Sequence, residues 1–189
     1  LDLATDTSTS AYNTVVSGTS TTIASDKATA ASAGITHTLG TLSIGAQTLN
    51  ITVGTNVTSG TAGVTFGTTS LSAGGAVFAP AAGTLLTLGA VNGTNTNFSV
   101  TGAGNAIIGG IIGTGTGTLT KGGAGNLTLS AANTFSGGTS ITAGTVTMGN
   151  ASALGSGSTA ISGGATLDSA AFGFDLTKIS GAGTLTGTG

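Results

Sequence analysis

The sequence predicts an all-β, single-domain parallel β-helix (a β-solenoid) of about 8–9 coils, with about 20 residues per coil and three strand faces. Three observations predict it. Apolar residues recur at intervals of about 20 along most of the chain. The segments that carry them are short and alternate apolar with Thr or Ser, as half-buried strands do. The composition suits strands and corners: 36 glycines in 189 residues, one proline, no cysteine and only 4% charged residues.

Residues 1–34 are expected to form one or two N-terminal coils, with Leu3 and Ile23 twenty apart, or else a cap or donor strand. In the second reading Tyr12 to Val16 is a strand and residues 26–33 a short helix closed by Gly34. Residues 35–189 form the body. One track runs Leu42/Ile44, Val64/Phe66, Leu86/Leu88, Ile107, Leu127/Leu129, Val146/Met148, Leu167 and Leu185. A second runs Ile51, Leu71, Val91 and Ile111, and a third runs Val57, Val77, Phe98, Leu119, Ile141, Ile161 and Ile179. Three tracks with one period imply three faces per coil, each inward side chain stacking on its counterpart one coil away. Glycine pairs at 74–75, 109–110, 137–138 and 163–164 fall where corners are needed.

The composition also limits function. Net charge is −2 with three lysines and no arginine, so no basic patch can neutralise a nucleic-acid backbone. Between residues 28 and 120 there is no formal charge. The most apolar run, residues 106–112, is broken by glycines and too short for a membrane helix, so no membrane insertion is expected. With no cysteine there is no thiolate metal site, and no cofactor is expected.

Residues 117–167 carry a position-specific pattern. Leu119, Lys121, Gly123, Gly125, Leu127 and Leu129 alternate with small or polar residues. A block Asn133-Thr134-Phe135-Ser136-Gly137-Gly138-Thr139 follows, then Ala143-Gly144-Thr145-Val146 and Asn150 to Gly155. This stretch closely resembles the autotransporter-associated β-strand repeat of passenger-type parallel β-helices. A partial second copy begins at Lys178. The resemblance implies a β-helical body exported to the surface or exterior of a bacterium.

Catalytic readings are weak. Asp168, Asp175 and Lys178 form the one local cluster of acids and base, and Asp168 follows an inward leucine, so it points outward. Glycosidase or lyase chemistry needs a positioned carboxylate pair. Residues 122–127 lack the aspartate of a calcium β-roll, since Leu127 stands in its place. His37 has no neighbouring ligand and is expected at a surface or corner. No motif surrounds any serine, so neither a catalytic triad nor an enzyme is expected. The Thr-x-Thr pairs, among them Thr5/Thr7/Thr9, Thr36/Thr38, Thr145/Thr147 and Thr184/Thr186, do not follow one twenty-residue file, so an ordered ice-binding plane is not expected. The sequons at Asn50, Asn56, Asn92, Asn97, Asn126 and Asn150 read as stacked corner asparagines rather than glycosylation sites.

The functional expectation is a structural extracellular solenoid that joins head-to-tail with copies of itself into a bacterial surface fibre or layer. Its adhesive ends would be Leu1, Leu3, Tyr12 and Val15 at one pole and Thr184, Leu185 and Thr186 at the other. The alternative is a piece of an autotransporter passenger or adhesin that binds host or surface ligands.

Overall fold

A computed structural model describes residues 1–8, 11–173 and 175–188; Thr9 of the first Thr-x-Thr run lies outside them. The chain winds as a parallel β-solenoid, and every strand pairing among the described residues is parallel. A first sheet stacks nine strands, from Asp2–Ala4 to Ile179–Gly181. A second stacks eight, from Thr36–Thr38 to Thr184–Thr186. A third stacks five, from Thr14–Val15 to Ile112–Gly113. Apolar residues at alternate strand positions meet in one continuous core. Leu49, Ile51, Leu86, Leu127 and Leu167 are wholly buried in it. The sole helical segment among the described residues is a single 3₁₀ turn, Leu176–Lys178. Residues 26–33 contain no helix, and Ser32–Ala33 is a strand.

The coils are not uniform. Ile23 pairs with Ile51, and Ile51 in turn with Pro80, so the early turns are nearly half as long again as the expected period. From there the turns shorten: Ala76 pairs with Phe98, Leu119 with Thr139, and Leu167 with Leu185. The longer turns carry a small extra corner sheet, Ser32–Ala33 with Val57–Ser59.

Unequal turns shift the tracks. Leu42 and Ile44 lie in the third sheet and pair with Thr69 and Leu71; the partner of Val64 is His37. Ile51 and Leu71, adjacent in the second expected track, belong to different sheets. Ile107 faces outward, and Ala106 and Ile108 are the buried pair. Likewise Ile111 is half exposed while Ile112 is buried. In the third track Phe98 pairs with Ala76 rather than Val77, and Ile141 pairs with Lys121 rather than Leu119. A strand's side chains alternate faces, so an error of one residue swaps inside for outside. The file Leu127, Val146, Leu167 and Leu185 holds as expected.

True register also aligns the threonines. Thr38, Thr65, Thr87, Thr128, Thr147 and Thr186 stand in one outward file of the second sheet, interrupted at Ile107 and Asp168. The file was hidden in the sequence because its members are unevenly spaced. The step from Thr38 to Thr65 crosses a long turn, and the step from Thr128 to Thr147 a short one.

Candidate functional site

The segment that builds the repeat pattern spans about one and a half turns. Leu119–Lys121 lies in the first sheet and Asn126–Leu129 in the second; Thr139–Ile141 and Thr145–Met148 repeat that pair one turn later. Between them the third side has no strand. Asn133 stands in for it. Its Oδ1 accepts the Ile112 N–H at 2.8 Å, and its Nδ2 donates to the Ala153 carbonyl at 2.6 Å. Its own N–H donates to the Ser152 carbonyl. One buried side chain therefore ties three successive turns where the β-ladder is interrupted. Phe135, fully buried, fills the core beneath. Gly138 follows at φ +92°, a conformation that costs a residue with a Cβ far more than glycine. Gly125 is required for a different reason: a Cβ there would lie 1.8 Å from the Gly104 carbonyl oxygen of the turn below.

Lys121 occupies an inward position, paired with Val100 and Ile141, and is buried. Its ammonium donates to the Gly123 carbonyl and, at 3.4 Å, to the Ala143 carbonyl. Burial holds its pKa below the ordinary lysine value. It is a cation serving two corner carbonyls of adjacent turns, and it has no carboxylate partner among the described residues.

Asparagines tie the corners elsewhere. Asn95 and Asn97 accept the N–H groups of Thr116 and Thr118, and Asn105 accepts that of Asn126. Asn50, Asn56, Asn97 and Asn126, all in sequons, bond across to neighbouring turns. Asn150 instead closes its own turn by accepting the Ser152 N–H.

The N-terminal corner is held by a carboxylate. Asp26 is buried, and its Oδ1 accepts the N–H groups of Lys27 at 2.8 Å and Asn56 at 2.9 Å. Burial raises its pKa, and these bonds together with the Thr55 hydroxyl outweigh that and hold it below the usual value. Asp6 is held below it by the hydroxyl and N–H of Thr29, with Lys27 at 3.9 Å. His37 is not at the surface. It faces Val64 inside the solenoid, and its Nε2–H donates to the Asp26 carbonyl at 2.9 Å; Nδ1 has no partner among the described residues. Register put it inside, since it stands one turn below a core valine.

The acidic cluster near the C-terminus is satisfied locally. Asp168 accepts the Ala170 N–H and Asp175 accepts the N–H and hydroxyl of Thr177, while Lys178 lies 3.9 Å from Asp175. A groove of about 210 Å³ beside them has Met148, Leu154 and Ile179 in its lining and Asp175 with Lys178 in its wall. No group of three or more metal-ligating side chains occurs among the described residues. No helix there is long and apolar enough to cross a membrane.

At the poles, Leu1, Tyr12 and Val15 are exposed, whereas Leu3 is buried. Thr184 and Thr186 are exposed. Leu185 is 38% exposed although it continues an inward file whose earlier members are 0% exposed.

The family model of the passenger-associated-transport-repeat matches residues 119–148, the segment built around Lys121, Asn133 and Phe135. A stretch of 101 residues, 52% of the chain, is 39% identical to the "Adhesin BmaC autotransporter" of Brucella suis biovar 1 (strain 1330). The chain spans 3% of that relative's length. No solved structure matches it significantly. Residues 119–148 thus match a passenger-associated transport repeat, and the chain that carries them winds as a parallel β-solenoid.

Proposed function

We propose that the chain is a stretch of an autotransporter-type passenger, a β-solenoid displayed outside a bacterium with an adhesive role. The observation that carries this reading is the coincidence of the repeat match with the one and a half turns knitted by Asn133, Phe135 and Lys121. The identity to a named adhesin over half the chain supports it. The surface chemistry is consistent. Asp168 and Asp175 spend their carboxylates on local turn N–H groups, and many exposed residues are Thr, Ser or Asn, able to exchange hydrogen bonds with polar ligands. The test is display of the chain on a translocating β-barrel in a bacterial host. Protease-accessible chain on intact cells, with cell adherence above that of the barrel alone, supports the reading. Surface display without any gain in adherence overturns the adhesive part.

A second reading is axial self-association. The stretch between residues 28 and 120, which carries no formal charge and so leaves copies with little mutual repulsion, is the observation that favours it. Light scattering and electron microscopy across a concentration series test it. Filaments that disappear in Leu185→Lys support it, and a monodisperse monomer at high concentration overturns it.

A further inference from the structure

Proteases that cut after basic residues read a lysine or arginine in an acidic pocket and polarise the carbonyl that follows it. The chain offers them Lys27, Lys121 and Lys178, and no arginine. The fold treats the three lysines differently.

Lys121 is closed. It is buried, it lies in Leu119–Lys121 with a paired strand on each side, and its ammonium is bound to corner carbonyls. Freeing it for a protease means breaking both ladders and the core file. Lys27 is closed by its corner. Its side chain is 22% exposed and faces Asp6. Its N–H donates to the Asp26 carboxylate at 2.8 Å. Its carbonyl, the group a protease must polarise, already accepts the Asn56 Nδ2–H at 2.6 Å. Thr29, just beyond, is tied to Asp6 through its N–H and its hydroxyl.

Lys178 is open. Its side chain is 48% exposed, and Asp175, Leu176 and Thr177 before it are exposed as well. Leu176–Lys178 is the 3₁₀ turn, capped by Asp175, and none of its residues is buried. The turn is held by the Lys178 N–H on the Asp175 carbonyl, the Ile179 N–H on the Leu176 carbonyl and the Asp175 carboxylate on Thr177. The ion pair of Lys178 with Asp175 joins two half-exposed groups at 3.9 Å and stabilises little. These bonds cover no buried side chain, so the turn opens locally without the solenoid. Ile179 begins the next first-sheet strand, so a cut before it falls at a corner, between strands.

We propose that Lys178–Ile179 is the processing site of this chain for proteases of trypsin-like specificity. Water adds across that peptide bond, leaving a carboxylate on Lys178 and an amine on Ile179. The solenoid N-terminal to it stays closed to the same enzymes. The proposal is independent of the adhesive reading.

Limited proteolysis of the folded chain with trypsin, read by intact mass and N-terminal sequencing, tests it. The first cut is expected after Lys178, giving a new N-terminus at Ile179. Its rate should hold nearly constant across denaturant concentrations below the global transition, whereas cuts after Lys27 and Lys121 should begin only as the chain unfolds. Lys178→Gln is expected to abolish the early cut. Asp175→Ala, which removes the cap, is expected to speed it about fivefold. Thr120→Lys sets a lysine outward within a strand paired on both sides and is expected to add no early cut, which separates an openable turn from mere exposure. An early cut after Lys27, Lys121 or the introduced lysine overturns the proposal. So does a folded chain that survives trypsin uncut, or a Lys178 cut that Asp175→Ala leaves unchanged.

Discussion

The first turns and the later ones solve the corner problem differently. Near residues 26–60 the turns are long, add a small corner sheet and anchor it on the buried carboxylate of Asp26. From about residue 76 the turns are short, and the corners are glycines with backbone packed against backbone. The third side, where strands stop after Ile112–Gly113, is closed by Asn133 and Phe135. The long corners depend on an ionised group, whereas the short ones depend on shape and on neutral hydrogen bonds. Acid should therefore act on one half and cavities on the other.

The largest expected effect is in the short turns. Phe135→Ala should destabilise the solenoid by about 3–5 kcal/mol, through lost burial and an unfilled cavity. A denaturant midpoint that barely moves would show that the third side is not a packed core. Asn133→Ala comes next. It leaves the Ile112 N–H and the Ala153 carbonyl without their partner, at about 1–3 kcal/mol for each buried group left unsatisfied. Hydrogen exchange should speed up at Ile112 in that variant while the Asp26 corner stays protected.

The Asp26 corner gives the opposite test. Its folded pKa lies below the ordinary 3.8, so its stabilisation is complete above 3.8 and fades as pH falls through the folded value. Acid titration followed residue by residue should open the N-terminal turns before the later ones. Asp26→Asn should remove that difference; if both halves still open at different pH, another group is responsible. The smallest effect belongs to Lys121. Its folded pKa lies below 10.5, so the unfolded chain binds more protons between the two values, and stability should rise with pH across that alkaline window. Lys121→Met should flatten the rise while changing stability at neutral pH by only about 1 kcal/mol, since lost carbonyl bonds offset relieved desolvation. A slope that survives the substitution would assign it elsewhere.

Much of the architecture was legible in the sequence. Alternation located most strands, and the twenty-residue recurrence identified a winding chain. Register was the part that eluded it. A constant period carried across turns of unequal length misassigned Leu42 and Ile44 to the second sheet and put Ile107 and Ile111 inward in place of Ile108 and Ile112. Corner length is set by three-dimensional closure, not by local pattern. His37 was misread for the same reason, since its place is defined by its partner one turn away. The repeat segment was legible as a motif, but the buried roles of Lys121 and Asn133 emerged only with their partners in view.

The ladder direction has a mechanical consequence. Strand-to-strand hydrogen bonds run along the solenoid axis, so tension applied at the two ends pulls them open one turn at a time instead of shearing a whole sheet at once. Each released turn of about 20 residues frees about 70 Å of extended chain. A rod built this way, tethered at one end in flowing liquid, would lengthen in steps under load and rewind as the load drops. It would yield as a ratcheting tether where a bundle held by long shear contacts would snap.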